Sequence, residues 1–477
     1  MAEPLAATSS VQDSTLRSFD GDHEVTVGAN PHDVTLPLSA RRLLTNLSDP
    51  LLRTGNMLIV TAGLNALLGT LFWVAAAHRY SRVNVGTNAA AIAAMMLIAG
   101  FAQLNLMSAM VRFVPVAGHG TRRLVAAAYG LSVTMALAFS AVFLLGIHVF
   151  APGLAAFLDH WPVAPWFVLS TCGWCIFVLQ DAVLTGLGRP GWVPLENAAF
   201  AVSKFLLVVL LFTLLPHYGL LVAWTIAVIV PTVPVNVFIF RRAIPRHVAG
   251  APATDQAPTF AQLSRFLAGD YVASLSWICA TSLLPVMVLN RLGARPTATF
   301  AIVWAVAVAL FAVSSSMGQS LVVQGAKNES QLPSHSRRAS VHALRLLVPA
   351  VVVLVIAAPW ALRIFGPGYA LQGTTALRLL VLASLPVLFV TIVVSELRVQ
   401  RMMLRVAAIM VVLAVIVLAL SYLLIPRLGI TGVGLAWLCG EGAVALFLWI
   451  IRRPQAPASA TVRSSAVAAT QMAHDHS

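Results

Sequence analysis

Charge is scarce in this chain. Of its 477 residues only 10% are Asp, Glu, Lys or Arg, where a soluble domain carries about 25%. Lysine occurs only at Lys204 and Lys327, so arginine supplies nearly all the basic groups. With 59% apolar residues and a mean hydropathy of +0.88, the chain has too little polar surface to cover a water-soluble fold, and the bilayer is its main solvent. Cysteine is scarce as well. Cys172, Cys175, Cys279 and Cys439 all fall in apolar stretches, which excludes a disulfide framework. The Cys172-Gly-Trp-Cys175 spacing has no second pair or His cluster to complete a metal site. A Gly-Lys-Ser/Thr phosphate loop, an Asp/Glu/His ligand cluster and an outward loop long enough for polymerase or glycosyltransferase chemistry are all missing, so the chain is expected to be no enzyme and to need no cofactor. Its +14 net charge is spread over short loops instead of one face, which argues against nucleic acid as a partner.

Long apolar runs fill the space between two polar tails. Residues 1–50 carry seven acids, no apolar stretch and no signal-peptide pattern, and 453–477 are rich in Ala, Ser, Thr and Pro, so both read as disordered tails. Between them, twelve runs of roughly 20 residues match the length a helix needs to cross about 30 Å of hydrocarbon. They fall at 55–77, 89–111, 124–149, 163–185, 193–215, 219–240, 269–290, 297–320, 344–364, 374–396, 405–425 and 430–451. With alternating loops, 22 basic residues fall on the side of the two tails and seven on the other. The excess of positive charge on one side predicts that both termini are cytoplasmic, in a multi-pass protein of the plasma (inner) membrane.

The loop from Arg241 to about Arg265, punctuated by Pro245, Pro252 and Pro258, divides the spans six and six. The sequence therefore predicts an all-α integral membrane protein of 12 transmembrane helices in two six-helix lobes, related by a pseudo-two-fold along the membrane normal. The lobes are 51–240 and 266–452, with the linker at 241–265. Weak internal similarity agrees: a short outer segment with two Arg follows the first span of each half, at Arg79 and Arg82 and again at Arg291 and Arg295.

Charges at membrane depth cost at least about 2.5–3.5 kcal/mol, so each requires a partner or a task. Lys204 stands near the middle of the fifth span, as a cationic lining for an anionic headgroup, a proton-linked switch, or one member of an ion pair with Glu196 or Asp181. Glu441 sits mid-depth in the twelfth span, flanked by Gly440 and Gly442, as a candidate for ion coupling or for a structural carboxyl. Asp181, Glu196, Asp270 and Glu396 fall near cytoplasmic span ends, where gate or helix-end salt bridges are expected. Arg79, Arg82, Arg291, Arg295 and Arg378 face the outer end, where a guanidinium fork suits either a pyrophosphate or lipid headgroups. Asn65, Gln103 and Asn105 either line a polar cleft or hydrogen-bond between helices.

Several segments carry a family resemblance. They are Leu64-Asn65-Ala66-Leu67-Leu68-Gly69-Thr70 with the outer segment ending at Gly86, and Met110-Val111-Arg112-Phe113-Val114-Pro115 before Arg122-Arg123. Leu179-Gln180-Asp181 through Gly188-Arg189, Trp192-Val193-Pro194-Leu195-Glu196-Asn197, Leu284-Pro285 and Leu292-Gly293 belong to the same set. Over roughly residues 50 to 452 the chain resembles the multidrug/oligosaccharidyl-lipid/polysaccharide flippase superfamily, in particular its polysaccharide transporter branch. The resemblance implies a flippase that moves a polyprenyl-diphosphate-linked oligosaccharide, a cell-envelope polysaccharide precursor, from the cytoplasmic to the outer leaflet by alternating access. It also implies a cationic cavity, which Lys204 matches, with membrane lipids and glycan polymerases or glycosyltransferases of the pathway as partners. Multidrug or small-solute efflux, and a non-transporting scaffold of a glycan-synthesis complex, are the alternatives. A major facilitator reading is disfavoured because the loop Arg112 to Arg123 lacks that class's acid.

Overall fold

The computed structural model describes residues 50–250, 252 and 260–452, with the backbone alone at 50–62, 64–65 and 260–269. The two predicted tails and most of the predicted linker centre lie outside the described residues. Among the described residues the chain is helical, with twelve helices of 20 residues or more. They are α1 (Pro50–Arg79), α2 (Arg82–Ala102), α3 (Thr121–Leu145), α4 (Val163–Gly186), α5 (Trp192–Leu211), α6 (Gly219–Phe238), α7 (Phe260–Leu292), α8 (Ala294–Gly325), α9 (Leu332–Arg363), α10 (Pro367–Val399), α11 (Met403–Leu428) and α12 (Ile430–Arg452). Eleven of these, α2 to α12, are long and apolar enough to cross a membrane by length and composition.

The connections alternate in character. At one end α1–α2, α7–α8, α9–α10 and α11–α12 are joined by one to three residues. Gly293 (φ 84°) and Gly429 (φ 60°) make the single-residue turns there, in a backbone region where a Cβ is costly. Ser81 caps α2 by accepting from the Asn84 amide at 3.2 Å. The opposite end carries the Arg-rich connections and is called the basic end below.

Helix packing recurs at an offset of six. α1 packs on α5, α5 on α6, α6 on α4, and α2 on both α3 and α4; correspondingly, α7 packs on α11, α11 on α12, α12 on α10, and α8 on both α9 and α10. Across the two sets, α1 meets α8 and α2 meets α7. Exposure follows the same offset: the apolar windows of α3 and α9 are each 22% buried and those of α5 and α11 each 28%, against 78% for α2. Helix α2 can be central because Ala89, Ala90, Ala91, Ala94, Ala99 and Gly100 bring neighbouring backbones close. A Cβ on Gly86 would stand 1.8 Å from the Ala294 carbonyl oxygen, so α2 and α8 touch backbone to backbone.

Several boundaries differ from the sequence reading. The expected second span, 89–111, breaks at Leu104 (φ 46°) and Asn105 (φ 60°), after which a short helix, Leu106–Phe113, continues. The ninth begins at Leu332, twelve residues before the expected 344, because Arg337, Arg338 and Arg345 lie on one continuous helix of 32 residues. At about 48 Å that helix exceeds the hydrocarbon thickness, so its basic first turns lie beyond the core. Helix α6 carries Pro231 and Pro234 and runs through a π turn, Ile239–Ala243, into Ile244–Ala249, which takes up the start of the expected linker.

Candidate functional site

A cavity of about 1020 Å³ lies among α1, α2, α4, α6, α7, α8, α10, α11 and α12. Five tryptophans line it: Trp73, Trp174, Trp224, Trp277 and Trp304. Hydroxyls sit between the rings. Thr70 and Thr281 donate to their own helices' carbonyls, Ala66 at 2.8 Å and Trp277 at 2.9 Å, which leaves their oxygen lone pairs free to accept. Ser274, Ser282 and Ser315 add further hydroxyls.

The rings belong to two clusters. On one side Trp174, Phe200, Phe72 and Trp224 pack at centroid distances of 5.4 to 5.9 Å. On the other, Trp437 meets Trp304 at 4.8 Å, Trp277 at 5.9 Å and Phe311 at 6.1 Å. Trp224 and Trp437 end matching segments, Gly219-Leu-Leu-Val-Ala-Trp224 and Gly432-Val-Gly-Leu-Ala-Trp437, in α6 and α12. This internal repeat is the sequence signal that marks both clusters, and sequence reasoning missed it together with the five lining tryptophans.

Lys204 lies in the first cluster. It is 6% exposed, and its Nζ stands 4.4, 4.7 and 4.9 Å from the ring centroids of Trp224, Phe200 and Phe72. Among the described residues its ammonium makes no ion pair, so the pairing alternatives with Glu196 and Asp181 are not realised. Glu196 accepts from Gln180 and Asp181 from Asn197. Lys204 does not itself line the cavity; Trp224, which does, lies against it. Three ring faces, each contributing about 2 kcal/mol or more to a desolvated cation, stabilise the ammonium without supplying a counter-charge.

Glu441 lies one turn after Trp437. It lines the cavity, is 1% exposed, and its Oε2 has no hydrogen-bond partner. Arg398 also lines the cavity, near the basic end, where its Nη2 reaches Asp270 Oδ1 at 3.5 Å. Glu396 is held by Ser336 and by Arg452 at 2.5 Å, away from the cavity. Asp270 and Glu396 thus both take helix-end ion pairs.

The remaining residues singled out from sequence are dispersed. Gln103 and Asn105 sit at the break after α2, where Asn105 Oδ1 accepts from Ser108 at 3.0 Å, and neither lines the cavity. The Asn65 side chain lies outside the described residues. The exposed Arg79 stacks over the half-buried Phe212 at 4.7 Å and the exposed Arg291 over Tyr422 at 4.2 Å, two contacts that again obey the offset of six helices. Arg82 does more than sequence suggested. From the start of α2 its Nη2 donates to Thr299 on α8 at 2.6 Å and to Gln372 on α10 at 2.7 Å, and its guanidinium lies 4.8 Å from the Tyr369 ring centre. Asn290 ties the same end, accepting from the Gly153 amide at 3.0 Å.

A large cavity thus lies among packed, apolar helices long enough to cross a membrane, and two aromatic clusters wall it. The fold is similar to that of solved structures of MATE multidrug transporters and of a lipid flippase. Lipid II flippase MurJ in an inward closed conformation aligns with TM-score 0.66 and 13% identity over 83% of this chain and 87% of that one. An inward-facing MATE family multidrug resistance transporter aligns with TM-score 0.57 and 16% identity, over 85% and 96%. A Vibrio cholerae MATE transporter aligns with TM-score 0.60 and 15% identity, over 85% and 97%. These structures are of transporters, not enzymes. No family model and no curated protein matches the chain.

Proposed function

We propose that this chain moves a polyprenyl-diphosphate-linked oligosaccharide, a cell-envelope polysaccharide precursor, from the cytoplasmic to the outer leaflet of the plasma membrane. The observation that carries the reading is the cavity wall of five tryptophans interleaved with hydroxyls. Flat indole faces accept the C–H faces of sugar rings, and Ser and Thr oxygens exchange hydrogen bonds with sugar hydroxyls. A diphosphate cannot cross hydrocarbon unaided, and a protein-lined polar path removes most of that barrier.

In this account twelve spans form two six-helix lobes, 51–240 and 266–452, joined by the 241–265 linker and related by a two-fold along the membrane normal. The packing that recurs at an offset of six supports this. The basic end is cytoplasmic, with both termini. The Arg82 and Asn290 ties then close the outer end, and rocking of the lobes exchanges these contacts for contacts at the basic end. Lys204 meets the diphosphate once Trp224 turns aside. Arg79 and Arg291 receive the headgroup outside, and Asp270, Glu396 and their Arg partners serve as inner gates. Glu441 couples the cycle to an ion, while membrane lipids and the pathway's glycan-assembling enzymes are the partners.

Efflux of an amphipathic cation is the second reading. The observation that favours it is Glu441, an unpartnered carboxylate in the wall of a Trp-rich cavity. Liposomes holding the purified chain separate the two. A fluorescent polyprenyl-diphosphate oligosaccharide should change leaflets far faster than in protein-free vesicles, and Trp277→Ala should slow it about tenfold or more, equivalent to about 1.4 kcal/mol of lost contact. Extrusion of a cationic dye with no movement of the lipid would reject the flippase in favour of efflux.

A further inference from the structure

Arg378 is a charge that neither the cavity nor the ties at the short-turn end use. It stands eleven residues into α10, about 16 Å along a helix of about 50 Å, so a hydrocarbon core of about 30 Å centred on that helix encloses it near one edge. Val387, Val390, Thr391 and Val394 line the cavity from α10. Arg378 precedes Val387 by nine residues, about two and a half turns, which places it on the opposite face of the helix, where it is exposed.

Part of its role is local. Pro359 has no N–H, so the Val355 carbonyl one turn earlier on α9 lacks its helical donor, and Arg378 Nε donates to it at 3.0 Å. That bond fixes the guanidinium against α9 and uses one of its five N–H groups. Among the described residues Arg378 makes no other hydrogen bond and no ion pair. Arg363, eight residues beyond Val355 on the same face of α9, is exposed and equally unpaired. The only acid on α9 or α10 is Glu396, which lies near the basic end and is already held by Ser336 and Arg452. Around the two cations the exposed side chains are apolar: Val352, Ile356 and Trp360 continue the Val355 face of α9, and Leu371 and Leu382 flank Arg378 on α10. A guanidinium at the edge of hydrocarbon is costly without a counter-charge, and these helices supply none. The missing partner is therefore an anion that brings its own apolar body, and a phosphate accepts the two free Nη groups side by side.

We propose that Arg378 holds the phosphate of an anionic phospholipid, of the phosphatidylglycerol type, in the leaflet at the short-turn end, with the acyl chains along the exposed face of α9 and α10. Two unpaired cations without a nearby acid favour a headgroup of net negative charge over a zwitterionic one, whose own cation opposes Arg363. In the orientation proposed above this is the outer leaflet. A lipid bound there ties α9 to α10, and its binding free energy adds to the stability of that pair. The site lies on the far side of α10 from the cavity and is independent of which substrate the cavity takes.

The test is the thermal midpoint of the purified full-length chain in detergent, with added palmitoyl-oleoyl phosphatidylglycerol, phosphatidylcholine of the same chains, or sodium phosphate, at equal ionic strength. The wild type is expected to show a rise of several degrees with phosphatidylglycerol alone, and Arg378→Gln should lose most of it. Pro359→Ala separates lipid binding from the local role, because it restores the N–H that the Val355 carbonyl lacks. Pro359→Ala should keep the rise. Adding Arg378→Gln to it should remove the rise while leaving the midpoint in phosphatidylcholine unchanged. The proposal is overturned by equal wild-type midpoints in the two lipids, by an equal rise with inorganic phosphate, or by a phosphatidylglycerol rise that Arg378→Gln leaves intact. A midpoint that Arg378→Gln lowers alike in both lipids, and that Pro359→Ala restores, would reduce Arg378 to a cap for Val355 and equally overturn it.

Discussion

Lys204→Met should stop movement of the lipid-linked oligosaccharide while leaving the protein folded. The native ammonium is buried against Phe72, Phe200 and Trp224 with no carboxylate partner among the described residues. The ring faces stabilise the cation without neutralising it, whereas an apolar residue of the same size would carry no desolvation cost there at all. Methionine fills a similar volume without the charge and suits an aromatic box. The expected pair of results is a thermal midpoint equal to or above that of the wild type, with transport reduced about tenfold or more, at least 1.4 kcal/mol of lost stabilisation of the moving headgroup. A midpoint lowered by several degrees would make Lys204 structural. Full transport in a stable Lys204→Met protein would remove it from the substrate path.

Gly86→Val carries the other large effect. The site for a Cβ at Gly86 is occupied by the Ala294 carbonyl oxygen at 1.8 Å and flanked by the Ala298 amide nitrogen at 2.9 Å. These are backbone atoms, which no rotamer change can withdraw, so any side chain forces α2 and α8 apart at the short-turn end. The Arg82 bonds to Thr299 and Gln372 span the same seam and would break with it. The state closed at that end should therefore be lost and transport with it. In a background lacking Cys172, Cys175, Cys279 and Cys439, a cysteine placed by Thr299→Cys should react slowly with a membrane-impermeant maleimide while the seam is closed. It should react much faster once Gly86→Val is added. Thr299 is fully buried, so equal rates with and without Gly86→Val would mean that the seam does not govern closure.

Helix positions were legible because each apolar run is long and bounded by polar turns. The break at Leu104 and Asn105 was not read, since Leu104 gives no sign of a positive φ and Asn105, a residue type enriched there, stood out only as a polar group. The extent of α9 was hidden because its first turns are basic and helical at once, and hydropathy registers only the apolar part. At the site, scarcity of charge singled out Lys204 and Glu441, and both side chains are buried. Phe200, one turn before Lys204 on α5, was readable from spacing, but Phe72 and Trp224 come from α1 and α6 and reach Lys204 only through tertiary packing. The same holds for Glu196, whose partner Gln180 faces it across the α4–α5 hairpin. One signal was available and unused: the matching Gly219 to Trp224 and Gly432 to Trp437 segments place a tryptophan at equivalent depth in α6 and α12, one beside Lys204 and the other a turn before Glu441. The two halves thus share an aromatic frame and carry opposite charges within it.

The most direct measurement is the leaflet distribution of lipid-linked oligosaccharide in cells depleted of this protein, read with a membrane-impermeant glycan probe. The account predicts accumulation in the inner leaflet, relieved by the wild-type chain and not by Lys204→Met. An unchanged leaflet distribution accompanied by greater retention of a cationic drug would contradict it.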